Sequence, residues 1–490
     1  MVLKTAKVSI SLDKNSAISL SQQIYESLRN QILNGELKPG DRLPAARNLS
    51  KSLDISRPTL ATSLEQLEME GYLEIRQGSG AYVCSTLKQS SKTRAQDAHG
   101  PAKLPISEYG EYLEALPEQS QTGSYQKNEP EICFYPWRPA LDQFPLEEWA
   151  RILGRQARNS DLSVLDYVFQ AQGDLWLREE ISGIVERFRG VKCTPDQVII
   201  TMGLNQGLNI AASLHLRNGA SVVVEDPGYS FAWSIFRGHG ANVVPISVDA
   251  QGLRVDWLAD TRNSKLVYVM PAHQFPTGGV MPLTRRLELL EWARRKNAII
   301  LEDDYDSEYQ DYGKPIPALM SLDTSGCVVY AGSLNQLMFP SLGLGFLLVP
   351  PHMVSLYSRA RQYAGEQLSV HLQRAIAEFI QEGHLDRHIK RLRGLYSERR
   401  NLLVQELTEI LGAKCGIINT GAGVFVLARF KSKFNDEEII ERARKLGVGL
   451  VSSRPFYLVR APRNEFILGT ANLNEEQIVE GVKRLAKIIG

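Results

Sequence analysis

Arg57 and Thr59 stand two residues apart at what reads as the start of a helix, just behind Ser56 and on either side of Pro58. Ser56 is a capping type and Pro58 is tolerated in a first turn, so a guanidinium and a hydroxyl project together from one helix end. A guanidinium placed there donates to phosphate oxygens or to the edge of a guanine. Arg42 and Arg47 lie on the preceding turn and helix, and Gly78 and Gly80 bracket a tip whose backbone is free to approach another surface closely. A second group lies far along the chain. Asp303 closes the apolar run AIILED and Tyr305 follows two residues on, which puts a carboxylate and a phenol on the same side of a strand end. Gly203, Leu204 and Asn205 follow the run VIIT, where the first N–H groups of a helix are open to an anion such as phosphate.

The elements that must hold the first group are short. Leu20, Ile24, Leu28 and Ile32 recur every four residues, with Tyr25 and Leu33 beside them, and predict a helix stopping near Asn34-Gly35. The turn-rich LKPGDRLP cannot continue it. A short helix from Ala45 to about Leu53 and a third, with Leu60, Leu64 and Leu67 inward and its end at Gly71, come next. YLEIR and AYVC then flank Gly78-Ser79-Gly80 as a hairpin. Three helices and a hairpin in this order predict a winged helix-turn-helix over residues 18–84, with the third helix entering the major groove of double-stranded DNA and the wing lying along the phosphates.

Residues 85–131 are polar and read as a linker. From 132 to 490 the apolar runs VIIT, VVVE, LVYVMP, AIILED and CVVYAG alternate with helical segments, the rhythm of an α/β body with a mostly parallel sheet. A chain of 490 residues needs more than one core, which agrees with this division. Its 43% hydrophobic and 23% charged residues exclude a disordered, collagen-like or disulfide-scaffold protein. The net charge of +1 hides an asymmetry: residues 1–94 carry +4 and the remainder −3, as expected when only the first module meets a polyanion. Cys84, Cys133, Cys193, Cys327 and Cys415 are dispersed and never spaced as C-x-x-C, so no disulfide framework and no metal site is expected, and they read as small buried hydrophobes. No long apolar run and no secretory leader is seen, which points to a cytoplasmic protein without a membrane segment.

The stretch LSQQIYESLRNQILNGELKPGDRLPAARNLSKSLDISRPTLATSLEQLEMEGYLEIRQGSGAYV closely resembles the GntR-type winged helix. The resemblance implies DNA contacts by Arg47, by Ser56, Arg57 and Thr59, and by the glycine-bearing wing. From about residue 132 the chain resembles a fold type I (aspartate aminotransferase-like) domain, through TMGLNQGLN, EDPGY at 225–229, PAHQFPTGGVMPLTRR at 271–286 and LEDDYDSEYQDYGKPIPAL at 301–319. Head, linker and body in this order resemble the MocR (GabR-like) regulators. In a pyridoxal phosphate site of that kind, the resemblance implies that the 203–205 helix start meets the phosphate, that Tyr229 lies against the ring, that Asp303 accepts from the ring nitrogen and that Tyr305 reaches the ring hydroxyl. It also implies a head-to-tail homodimer and a small-molecule effector.

The segment YAGSLNQLMFPSLGLGFLLVP at 330–350 departs from the family pattern of Thr-Phe-Ser-Lys, three variable residues, Pro, two more, then Arg. Anchored on Pro340, Gln336 stands at the Schiff-base lysine, Gly343 at the phosphate-binding arginine and Asn335 at the serine, and Ser333 alone keeps a hydroxyl. A glutamine amide is not a nucleophile, so no covalent pyridoxal phosphate and no transamination are expected, and no residue is assigned as catalytic. Loss of the arginine removes a charge-assisted contact worth about 1.5–3 kcal/mol. Ile467 stands where relatives carry a carboxylate-binding arginine, with Arg460 and Arg463 nearby in sequence to replace it, and Phe231 where some carry another. Two readings of the pocket stay open: pyridoxal phosphate held weakly and non-covalently, or a different, less anionic effector. The expected function is a DNA-binding regulator that senses a small molecule. The alternatives are an aminotransferase with an incidental head, disfavoured by Gln336, and a body that senses nothing.

Overall fold

The computed structural model describes residues 6–85, 105–115, 129–159, 161–166, 170–261, 263–310, 316–365, 368–419 and 423–489. It falls into two units, Met1–Pro105 and Ile106–Gly490.

The first unit is built from α1 (Leu20–Leu33), α2 (Ala46–Ser52), α3 (Arg57–Met69), β1 (Leu73–Arg76) and β2 (Gly80–Val83). Ser19 caps α1 by accepting from the Gln22 amide, and Gly35 with φ 75 turns the chain out of it. Leu60, Leu64 and Leu67 of α3 face Ile24, Leu28 and Ile32 of α1 in one core, as their spacing predicts. β1 and β2 pair antiparallel, Leu73 opposite Val83 and Arg76 opposite Gly80, forming the wing. The core also takes in Ala6, Val8, Ile10 and Leu12, which precede residue 18, and Gln31 anchors that segment by donating to the Ser9 carbonyl at 2.7 Å.

Of the sequence predicted as linker, 86–104 and 116–128 lie outside the described residues. Between them, in the second unit, runs α4 (Glu108–Ala115). Tyr109 and Tyr112, three apart on one face, hold it to the helix Ser230–Gly238: the Tyr112 hydroxyl donates to Ser234 Oγ at 3.1 Å, and a Cβ on Gly238 would lie 2.6 Å from the Tyr109 ring.

The body continues with β3 (Ile132–Cys133), α5 (Leu146–Asn159), α6 (Leu175–Arg189), β4 (Val198–Thr201), α7 (Gly203–His215), β5 (Ser221–Asp226), α8 (Ser230–Gly238), β6 (Asn242–Asp249), β7 (Gly252–Leu253), β8 (Ser264–Val269), α9 (Leu283–Lys296), β9 (Ile299–Asp304), β10 (Val328–Ser333) and β11 (Gly345–Leu348). Its main sheet has the order β4-β11-β10-β9-β8-β5-β6-β7, with only β11 and the short β7 running against the rest. β5 and β9 are buried at every residue, which is why they read as continuous apolar runs. The helices α10 (Val354–Tyr363), α11 (Val370–Gln381) and α12 (His384–Glu406) lead to an antiparallel sheet of β12 (Cys415–Ile417), β13 (Phe425–Phe430), β15 (Val451–Ser452) and β16 (Glu465–Gly469). Also in this part are α13 (Asp436–Lys445), β14 (Val448–Gly449), which pairs with β3, and α14 (Glu475–Ile489). The main sheet and its covering helices enclose the larger cores, and α12, α13 and α14 bury a separate one against the small sheet.

No described helix is long and apolar enough to cross a membrane. None of the five cysteines forms a disulfide; Cys133 and Cys327 are buried, whereas Cys84, Cys193 and Cys415 are half-buried, so only two of the five match the fully buried expectation.

Candidate functional site

In the first unit, Ser56 Oγ accepts from the Thr59 amide at 3.2 Å and lies 2.7 Å from Thr59 Oγ1. The two hydroxyls thus close the first turn of α3 upon each other and fix the direction in which Arg57 leaves it. Arg57 and Arg47 are exposed, and neither forms an ion pair among the described residues. Arg42 sits at the base of the wing: its backbone bridges to Tyr82, its guanidinium lies 6.0 Å from the Tyr82 ring, and a Cβ on Gly80 would come within 3.4 Å of its Nε. Gly80 has φ 111 and Gly78 φ 73, conformations that side-chain-bearing residues rarely adopt, so the tip needs both glycines. Arg76, which carries no sequence-level signal beyond its place in a strand, also lies over the wing's Tyr82, 4.8 Å from the ring, and pairs with Glu74.

In the body, the residues singled out in sequence gather at the carboxyl ends of the parallel strands, the edge where open α/β sheets receive ligands. Asp303 is one residue from the end of β9, opposite Ala331 of β10, and Ser333 ends β10. Asp303 is 4% exposed; the Tyr268 hydroxyl donates to its Oδ2, while Oδ1 has no hydrogen-bond partner among the described residues. Burial pushes its carboxyl up to about 7; the Tyr268 bond opposes this and the neighbouring Asp304 and Asp306 charges add to it. Glu225, at 1% exposure near the end of β5, is pushed up to about 8 by burial, against hydrogen bonds from the Met270 amide and Gln274, and its Oε1 has no hydrogen-bond partner among the described residues.

Tyr305 points its hydroxyl at His273 Nδ1, 3.0 Å away, and the same nitrogen lies 2.8 Å from Asp306 Oδ1. A carboxylate only accepts, so Nδ1 carries a proton toward Asp306; Nε2 is buried and has no hydrogen-bond partner among the described residues. Tyr229 is half-buried, its hydroxyl donating to Asn205 Oδ1 at 3.4 Å, and burial raises its pKa, reinforced by the Asp303 charge. Gly203 and Leu204 start α7 where β11 passes very close: a Cβ on Gly345 would lie 2.6 Å from the Gly203 carbonyl carbon. The Met202 amide at that helix start is already met by Gln206 Oε1 at 2.8 Å.

The 333–345 loop is tied down by its own side chains. Asn335 Oδ1 accepts from the Leu344 amide at 3.0 Å, Ser333 Oγ accepts from the Asn335 amide at 3.2 Å, and Gln336 Nε2 donates to the Trp137 carbonyl at 3.2 Å. Gly343 is left-handed with φ 64. Ile467 is fully buried in β16 opposite Leu427, packed as a core residue. Arg460 and Arg463 are exposed in the segment before β16, next to Leu458 and Val459, whose amides are held by Asp226 at the end of β5. Phe231 is 46% exposed, its ring 5.6 Å from that of Tyr229.

Sequence reasoning assigned no role to Tyr268, His273, Asp306 or Glu225. Each lies inside or beside a motif already noted (LVYVMP, PAHQFPTGG, LEDDYDSEY, EDPGY), but only the folded register shows that they converge.

Residues 20–83 match the family described as "Bacterial regulatory proteins, gntR family", and residues 142–485 match "Aminotransferase class I and II". The chain is 36% identical over 476 residues to the probable rhizopine catabolism regulatory protein MocR of Rhizobium meliloti, covering 97% of this chain and 94% of that one. It is 33% identical over 474 residues to the HTH-type transcriptional regulator YhdI of Bacillus subtilis, covering 97% and 96%. Among solved structures, the kynurenine aminotransferase of Pyrococcus horikoshii, in complex with PMP, superposes with a TM-score of 0.68 at 26% identity, covering 83% of this chain and 98% of that one.

Proposed function

The chain belongs to the MocR-type transcriptional regulators, a GntR-family DNA-binding head joined to an aminotransferase class I and II domain, and on that premise we propose that its body senses a small molecule without performing transamination. The observation that carries this reading is the side chain at 336. Counted from Pro340, Gln336 stands where the family pattern has the Schiff-base lysine, and its amide nitrogen is engaged with the Trp137 carbonyl. Amide resonance removes the lone pair that would attack an aldehyde. At the place of the phosphate-binding arginine stands Gly343, left-handed with φ 64, which brings no cation. Asp303 Oδ1 would still suit the protonated nitrogen of pyridoxal phosphate, but this count leaves the chain without the amine and the guanidinium that hold the group's other two ends. The residues therefore do not fit a covalently bound cofactor.

Of the two pocket readings, the acceptors favour the less anionic effector. Among the described residues, Asp303 Oδ1 and Glu225 Oε1 are buried carboxyl oxygens and His273 Nε2 a buried ring nitrogen, none with a hydrogen-bond partner, and the charges that bear on Asp303 are those of Asp304 and Asp306. A ligand bringing N–H groups or positive charge would satisfy them. In our reading the active species is a head-to-tail homodimer, which presents two heads to a two-fold DNA site, and the effector acts by preferring one arrangement of heads.

The test is a screen of small amines, N-heterocycles and their phosphorylated forms against the full-length protein, with and without pyridoxal phosphate. Body melting temperature and affinity for a duplex from the chain's own upstream region are read together. A non-phosphorylated amine that moves both is expected, with about 2.7 kcal/mol of stabilisation at a hundredfold excess over Kd. Pyridoxal phosphate alone moving both would instead favour the non-covalent cofactor reading.

A further inference from the structure

We propose that the body carries a second DNA-binding surface, a groove between the small sheet and its two last helices that takes the phosphodiester backbone of the duplex. Six cationic side chains from separate elements surround this groove of 970 Å3: Lys414 before β12, Lys431 and Lys433 after β13, Arg442 and Lys445 on α13, and Lys487 in the last turn of α14. All six are exposed, and among the described residues no Asp or Glu side chain lines the groove. Phe434 forms part of its wall and holds two of the cations, with the Arg442 guanidinium 3.8 Å and the Lys433 ammonium 5.1 Å from its ring.

Four of the seven acidic residues of the same two helices are engaged elsewhere. Asp436 accepts from Ser452 and the Asn464 amide, Glu437 pairs with Arg454, Glu438 closes a capping box with Asn435, and Glu480 pairs with Arg484. Among the described residues, Lys431, Lys433, Arg442 and Lys487 make no ion pair, and Lys445 makes only an exposed one to Glu441 at 3.4 Å. Such an exposed pair is screened by solvent and leaves the lysine available. Helix-dipole stabilisation accounts for Arg442, Lys445 and Lys487 at helix C-termini. It does not account for Lys414, Lys431 and Lys433, which lie on none of the α-helices.

The charge split along the sequence made the body look indifferent to polyanions at −3, yet this corner concentrates positive charge against that average. Duplex DNA is the matching partner for two reasons. Cations spread over several elements suit a row of phosphates rather than a single small anion, and the head delivers DNA to the body at high effective concentration. The proposal is independent of what the effector site binds.

The test uses the full-length protein and two duplexes from the chain's upstream region: one of about 20 base pairs, enough for two half-sites one turn apart, and the same sequence extended by about 30 base pairs on each side. Wild type is expected to bind the long duplex at least tenfold tighter at low salt, with a steeper salt dependence. The triple variant Lys431→Glu, Lys433→Glu, Lys487→Glu should lose that gain, its log–log salt slope on the long duplex falling by up to about 3, since each phosphate contact contributes about 0.9. Binding to the short duplex should not change. The milder Lys431→Gln, Lys433→Gln, Lys487→Gln variant should fall between, and an unchanged body melting temperature in either variant separates lost contact from lost fold. Equal long-duplex affinity and slope in wild type and both variants would overturn the proposal. So would stabilisation of wild type, but not of the Gln variant, by millimolar inorganic phosphate with DNA binding unaltered, which would assign the groove to a small anion.

Discussion

Replacing Asp303 by Asn probes whether the strand-edge site is kept at the expense of stability. Burial pushes the Asp303 carboxyl from 3.8 to about 7. A raised folded pKa means that the fold prefers the protonated form: the stability this confers is present in full below about pH 4 and lost as pH rises through 7. At about 1.36 kcal/mol per unit, the ionised carboxylate costs the fold about 4 kcal/mol above pH 7 and less than half of that at pH 5. Asn does not titrate. Its oxygen still accepts from Tyr268, while its NH2 takes the place of the unpartnered Oδ1 at a pH-independent cost of about 1–3 kcal/mol. The variant's stability relative to wild type should therefore rise by about 2.5 kcal/mol between pH 5 and pH 8. All six tryptophans lie between residues 137 and 292, so urea unfolding followed by tryptophan fluorescence reports on the body rather than the head. Parallel pH dependences for the two proteins would refute the reasoning, because they would mean that Asp303 is not held as an uncompensated buried acid.

Three further outcomes are expected. Ser56→Ala should cost the head about 1 kcal/mol by uncapping α3, seen as faster hydrogen exchange of the α3 amides in the full-length chain, with exchange in the body unaltered. Arg47→Ala and Arg57→Ala should each weaken binding to the upstream duplex by about 1–3 kcal/mol in fluorescence anisotropy, with Arg57→Ala also relaxing sequence preference; wild-type affinity in both would remove the groove assignment. Gly345→Ala should displace the start of α7, since its Cβ would fall 2.6 Å from the Gly203 carbonyl carbon. A loss of about 1–3 kcal/mol in body stability is expected from the overpacking, read by the same urea titration.

Much of this structure was legible in sequence where a residue's role depends on near neighbours. The four-residue spacing of Leu20 to Ile32, the Ser56-Arg57-Pro58-Thr59 helix start and the glycine-bracketed tip specify the head, because capping, helical periodicity and turn geometry are local. The buried strands announce themselves by apolar continuity, as VIIT and VVVE do. What sequence could not supply is convergence across strands. Tyr268 reaches Asp303 from the neighbouring strand, and His273 binds Asp306 from a loop 33 residues earlier; both facts depend on parallel register. The helix Glu108–Ala115 falls in the stretch expected to be linker because two tyrosines on one face are too few to produce a periodic apolar signal. Net charge misled for a related reason, since summing over the body hid the basic groove that folding assembles from residues 414 to 487.

The central claim is that, with glutamine at position 336, the chain has no Schiff-base lysine for pyridoxal phosphate. Full-length protein is incubated with pyridoxal phosphate, reduced with borohydride and mapped by peptide mass spectrometry, alongside the double variant Gln336→Lys, Gly343→Arg. The account predicts no stoichiometric adduct on wild type and one adduct per chain, at position 336, in the double variant. A one-per-chain adduct on a wild-type lysine, prevented when a primary amine is added before reduction, would contradict it.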